Sequence, residues 1–244
     1  MARTTDDAVV LLDKPLGWTS NQALQKVKRL LQAKKAGHTG SLDPFATGLL
    51  PVCLGRATKM AQKLIDADKT YIAHIYFGAS TTTGDPEGAW TSQNQPVPAK
   101  QAIVDILDQF LGHSQQIPPM YSAIKFQGQP LYKLARQGKN IDRPARNIHI
   151  SKLDLLDYQN QQAIVAVCCS KGTYIRTLAE DIAKHLHTAA YLTALKRIRV
   201  GQLELKNART IQQLETCIAQ QKVTELLLDP QDCIGGAGSS GTVS

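Results

Sequence analysis

Residues 37–55 read GHTGSLDPFATGLLPVCLG. The stretch holds four glycines, two prolines, three hydroxyl side chains and one acid, Asp43. Pro44 biases Asp43 toward an extended backbone, and the glycines let the chain pass close to a ligand. An isolated Asp-Pro pair is ordinary turn chemistry. The loop contains no second carboxylate for glycosidase chemistry. The chain has no P-loop, no HExxH and no Ser-His-Asp order.

Working outward, the 244 residues are 43% hydrophobic, enough for one sizeable core or a core with a small appendage. The net charge of +8 favours an anionic partner, nucleic acid first. Five cysteines form no CxxC pair and no zinc spacing. An odd count without a framework fits a reducing compartment. The start, MARTTDDAVVLLDKP, is too short in its apolar run and too acidic for a signal peptide. No stretch approaches the ~18 apolar residues of a membrane span. The expectation is a cytoplasmic protein with no membrane contact.

AVVLLDKP reads as a short buried strand. In the segment after it, Thr19 and Gln22 resemble a capping box. Ala23, Val27, Leu30 and Leu31 follow at helical spacing, with Gly37 as the expected stop. PVCLG predicts a strand, ATKMAQKLIDA a helix, KTYIAHIYFGAS a strand and STTTGDPEGAW a turn. AKQAIVDILDQFLG predicts a helix with Ile103, Ile106, Leu107 and Phe110 on one face. NIHISKLDLLDYQ and QQAIVAVCCSKG predict paired strands. TYIRTLAEDIAKHLH predicts a helix, AYLTALKRIRVGQLEL a strand, and TIQQLETC a short helix before VTELLLDP. No βαβ rhythm emerges, so the fold class is α+β with a largely antiparallel sheet.

Residues 125–146 carry Lys125, Lys133, Arg136, Lys139, Arg143 and Arg146 against one acid, Asp142. This predicts a mobile basic segment in which Lys125, Arg136, Lys139, Arg143 and Arg146 grip a phosphate backbone. Beyond Pro230 the chain turns small and polar. Residues 1–230 are expected to form one catalytic domain, and 231–244 a flexible tail that cannot pack and need not be native.

The string GHTGSLDPFATGLLPVCLGRATK closely resembles the catalytic motif of the TruB-type pseudouridine synthases. LLDKPLGWTS, KTYIAHIYFG, STTTGDPEG, PPMYSAIK and KGTYIRTLAEDI match further motifs of that family in order. One departure is Ser41, where many members have alanine. A second is length: bacterial members usually continue into a small C-terminal RNA-binding domain, which this chain is expected to lack.

The resemblance implies a pseudouridine synthase fold and isomerisation of uridine 55 in the T-arm of tRNA. It implies no cofactor and no metal. It implies Asp43 as nucleophile, which a carboxylate suits because it can form an adduct and leave. Attack at C6 of the base and attack at C1′ of the sugar both stay open. Arg176 would hold Asp43 ionised through a guanidinium fork. Tyr71 would stack on the uracil and help remove the C5 proton. His38 would fill the gap left by the flipped nucleotide. Leu195 would line the uracil pocket, Tyr174, beside Arg176, would bind the substrate, and Arg197 would touch RNA phosphate. Lys14 would serve a structural or electrostatic role, and Asp85 would shape its loop. A monomer without an obligate protein partner is expected. Two rival readings are a non-catalytic RNA-binding or tRNA-folding protein on the same scaffold and the guide-RNA-dependent branch of the family.

Overall fold

The computed structural model describes residues 7–234, within which the chain divides into two compact units. The first unit is discontinuous, built from residues up to 69 and from 197 onward. The second runs from residue 70 to residue 196.

In the first unit, β1 (Asp7–Lys14) pairs antiparallel with β3 (Ala46–Gly55) from Asp7 opposite Gly55 to Lys14 opposite Gly48. The short β2 (Ala36–His38) adds to β3. Side chains on a strand alternate between faces, and both faces of β1 and β3 are apolar. Ala8, Val10, Leu12, Leu50, Val52 and Leu54 pack on one side with Ala23, Leu24 and Val27 of α1 (Ser20–Leu30). Leu214 of α6 (Ile211–Ala219) joins that cluster. Val9, Leu11, Leu49 and Cys53 pack on the other side with Ala57, and with Leu64 of α2 (Ala61–Asp66). A strand covered on both faces needs an unbroken apolar run, which is why AVVLL does not alternate with polar residues.

The Thr19 cap forms as expected. Its Oγ1 accepts from the Gln22 N–H at 3.1 Å, and the Gln22 side chain accepts from the Thr19 N–H at 2.8 Å. Thr210 caps α6 in the same way. The expected helix stop at Gly37 is corrected: α1 ends at Leu30, Gln32 takes the left-handed turn at φ 50°, and Gly37 lies in β2. A second correction concerns the tail. Cys233, only 2% exposed, packs in the cluster of Val9 and Leu11, so ordered packing runs past Pro230. The rest of the expected tail, from residue 235, lies outside the described residues.

The second unit carries β4 (Lys69–Phe77), whose burial alternates strictly. Then come the ribbon of β5 (Ser80–Thr81) and β6 (Trp90–Ser92), α3 (Lys100–Leu107) and β7 (Gly112–Gln116). A small hairpin of β8 (Lys125–Phe126) and β9 (Gln129–Pro130) leads into α4 (Leu131–Ala135). β10 (Arg146–Gln159) pairs antiparallel with both β7 and β11 (Gln162–Cys169). The neighbours run β4–β11–β10–β7. α5 (Ile175–His185) buries Ile175, Leu178 and Ile182. β12 (Ala190–Val200) carries the chain back to the first unit, where its end pairs with β13 (Leu203–Glu204). The fold is α+β, its strands flanked by helices, and β1–β3, β2–β3, β7–β10, β10–β11 and β12–β13 all pair antiparallel.

The basic segment has more structure than the sequence suggests. Leu131 and Leu134 of α4 are buried, and the β8–β9 hairpin precedes them. Lys125, Arg136, Lys139 and Arg146 are exposed. Arg143 folds back, donating from one nitrogen to the Asn140 side chain and to the Ile141 carbonyl, both at 2.9 Å.

Candidate active site

In the first unit, Asp43 is held through both of its neighbours. Ser20, the first residue of α1, donates from Oγ to the Leu42 carbonyl at 3.0 Å and accepts from the Leu42 N–H at 2.7 Å. Pro44, which follows Asp43, presents its carbonyl to the Gly17 N–H at 2.8 Å and to Lys14 Nζ at 3.4 Å. Lys14 is 0% exposed, and its ammonium also donates to the carbonyls of Pro15 and Trp18 at 2.9 and 2.6 Å. A buried charge survives only when hydrogen-bonded, so this lysine fastens the turn after β1 to the Asp43 loop. The Asp43 carbonyl itself accepts from the Ala46 N–H at 3.0 Å, which closes the turn at the start of β3.

Arg197 requires a correction. Expected at RNA phosphate, it is 1% exposed, with Nε donating to the Leu49 carbonyl at 2.8 Å and a terminal nitrogen to the Gly40 carbonyl at 3.1 Å. Its guanidinium braces the glycine-rich loop from inside. Along KRIR the outward cations are Lys196 and Arg199.

His38 sits at the end of β2. Burial, and secondarily the positive charge of Arg197, hold its imidazole below the usual histidine pKa. His38 Nδ1 and Thr39 Oγ1 are buried without hydrogen-bond partners among the described residues. Such groups cost about 1–3 kcal/mol each when left unsatisfied, and adjacent ones mark a loop shaped for something other than its own stability.

In the second unit, Arg176 lies one residue inside α5 and is buried. Two nitrogens donate to the carbonyls of Thr83 and Tyr121, both at 2.7 Å. The Asp85 carboxylate stands 3.6 Å away. That carboxylate accepts from Thr83 Oγ1 at 2.5 Å and from the Glu87 N–H at 3.0 Å. Asp85 therefore orders its loop, as expected, and also faces the guanidinium. Glu180, one turn further along α5, has its carboxyl raised by burial, with Arg176 opposing. Gly84 makes room there: at φ 70°, a Cβ on it would meet the Glu180 carboxylate at 2.7 Å.

Tyr174 caps α5 by its backbone. Its N–H donates to the Gln116 side chain at 2.8 Å, and its carbonyl accepts from the same amide at 3.1 Å. Tyr71 on β4 and Leu195 on β12 are buried. Sequence reasoning missed Ser20 and Gln116. Ser20 lies inside the matched string LLDKPLGWTS, next to the cap, while Gln116 carried no signal at all. Among the described residues no cluster of His, Cys, Asp and Glu could hold a metal ion.

Comparison with known proteins agrees with this architecture. The TruB family pseudouridylate synthase N-terminal domain matches residues 28–175, and the tRNA pseudouridylate synthase B C-terminal domain matches residues 176–232. The chain is 51% identical over 221 residues to tRNA pseudouridine synthase B of Dechloromonas aromatica, covering 91% of this chain and 74% of that protein. To the enzyme of the same name from Ectopseudomonas mendocina it is 49% identical over 228 residues, again covering 74% of that protein. Among solved structures, a Cbf5-Nop10-Gar1 complex superposes with a TM-score of 0.74 at 25% identity, covering 93% of this chain and 61% of that one. This chain thus spans less than two thirds of that structural relative. The chain belongs to the TruB family of pseudouridylate synthases.

Proposed function

We propose that the protein isomerises uridine to pseudouridine in the T-arm of tRNA, at position 55, with Asp43 as the nucleophile. Family membership supports the reaction, and the names of the relatives support tRNA as substrate. The observation that carries the role of Asp43 is the clamp on both of its neighbours, by Ser20 on Leu42 and by Gly17 and Lys14 on Pro44. Fixing a reacting group in advance removes part of the entropic barrier.

The bond from ribose C1′ to N1 breaks, a bond from C1′ to C5 forms, C5 loses its proton and N1 gains one. Atoms and electrons balance within the nucleoside, so the reaction needs no redox partner. In this reading Arg176 keeps the nucleophile ionised and Tyr71 packs against the base. Leu195 lines the uracil site, and His38 replaces the flipped nucleotide in its stack. Flipping costs a few kcal/mol, which an inserted side chain offsets.

The test is pseudouridine formation in an unmodified tRNA transcript, wild type beside Asp43→Asn. Product from wild type only, at the T-loop uridine, is the expected result. Product from both would remove Asp43 as nucleophile. No product from folded wild type, with tRNA still bound, would favour the non-catalytic RNA-binding reading.

A further inference from the structure

Side chains alternate along β4, and Tyr76 stands five residues from Tyr71, so the two rings lie on opposite faces of the strand. Tyr76 lines a cavity of about 630 Å³ with Trp90, Tyr191, Gln93, Gln95 and Gln161. That is the size of a small-molecule site. Tyr191 sits between the other two rings, its centroid 5.6 Å from Tyr76 and 5.3 Å from Trp90, the latter edge-to-face at 89°. Trp90 is 55% exposed.

The walls are built rather than loose. The Gly78 N–H donates to the Ala189 carbonyl at 2.8 Å, and the Gln95 N–H donates to the Gly78 carbonyl at 2.9 Å. The Phe77 N–H donates to the Gln161 carbonyl at 2.9 Å. Gly78 has φ 94°, and a Cβ there would approach the Gln95 carbonyl at 3.2 Å and the Gln161 side chain at 3.5 Å. Among the described residues that line the cavity none is charged, so they offer no cation to a phosphate or carboxylate. A neutral planar heterocycle would find ring faces to stack on and carboxamides able both to donate and to accept along its edge.

We propose that this cavity is a second RNA-contact site, where an unpaired nucleobase stacks against Trp90 and Tyr191 and its edge meets the glutamine carboxamides. The proposal rests on the reading that the substrate is RNA. Because Tyr76 and Tyr71 face opposite ways, the base bound here is not the uridine that reacts. Base-on-aromatic stacking of this kind is tolerant of sequence. The site would therefore add affinity without choosing a base.

The chain has two tryptophans, Trp18 and Trp90, and Trp18 packs against the apolar cluster of the first unit. In a Trp18→Phe protein the indole emission therefore reports Trp90 alone. That emission is titrated with unstructured oligo(A) and oligo(U) RNA and, separately, with free adenosine and uridine. Saturable quenching by the oligonucleotides is expected, weakened at least ~5-fold by Tyr191→Ala and largely kept by Tyr191→Phe, which retains the ring. Absence of saturable quenching by any of the four overturns the site. Saturation by a free nucleoside at lower concentration than by the oligonucleotides overturns RNA as the occupant. Pseudouridine formation is assayed in the same Trp18→Phe protein. Product without quenching defeats this proposal alone, and quenching without product defeats the proposed function alone.

Discussion

The backbone of Gly48 lies against that of Arg197 so closely that a Cβ on Gly48 would fall 2.3 Å from the Arg197 carbonyl oxygen. Gly48 also has φ 101°, which only glycine adopts readily. Strand β3 passes close to β12 here because one residue on it has no side chain. Gly48→Ala should therefore destabilise the protein by about 1–3 kcal/mol and reduce activity further by displacing the Asp43 loop that leads into β3. Thermal unfolding alongside a single-turnover assay checks this, and an unchanged melting temperature would contradict it.

Arg197 itself separates two views of the basic residues. Its guanidinium donates to Leu49 and Gly40, and replacing it with lysine leaves at least one of those buried carbonyls short of a donor. Arg197→Lys should lower stability by about 1.5–3 kcal/mol and leave the slope of log K against log salt for tRNA binding unchanged. A slope reduced by about 1 would mean that Arg197 neutralises a phosphate after all.

The exposed cations of the basic segment should behave in the opposite way. Replacing Lys139, Arg143 and Arg146 with glutamine should weaken tRNA binding and reduce the salt slope by about 2. The loss falls short of three because Arg143 is engaged with Asn140 and Ile141. Binding measured across a salt series in wild type and variant decides the point, and parallel lines would exclude the segment from the phosphate contacts.

His38 should leave a pH signature. Its folded pKa lies below the usual histidine value of about 6.5 because burial, then Arg197, disfavour the imidazolium. The folded state thus binds fewer protons there than the unfolded state. Its contribution to stability is complete above pH ~6.5 and is lost as pH falls toward the lowered folded pKa. Denaturant unfolding from pH 8 to pH 5 should show a decline in wild type that is shallower in His38→Gln. Identical pH profiles would contradict the buried, neutral imidazole.

Much of this was legible from the chain, and the failures have definite causes. Thr19 with Gln22 announced a helix start because the cap is a local interaction, complete within four residues. The helix end is not legible because Gln32 takes a left-handed turn that glycine usually occupies, and nothing local reveals that choice. The glycine-rich loop pointed to Asp43 through its composition and its family resemblance. The clamp on Leu42 comes from Ser20, 22 residues away, and the brace on Gly40 from Arg197, 157 residues away. Contacts at such separations leave no periodicity to read. The inward turn of Arg197 is not legible because a run such as KRIR shows which residues are basic but not which one faces inward. Cys233 reads as tail because its neighbours are small, although its own thiol packs in an apolar cluster.

The discontinuity of the first unit has a consequence for how the molecule is made. Val9 exchanges both backbone hydrogen bonds with Leu228, and Arg209 bonds to Leu11 and Asp13. Synthesis reaches Val9 well before Leu228, so these bonds to β1 form only after the stretch between them has been made. The stretch from residue 70 to residue 196 can assemble meanwhile. The unit that bears Asp43 is thus begun before the second unit and completed after it, so a nascent chain interrupted before residue 197 holds the aspartate without the strand segment that braces its loop.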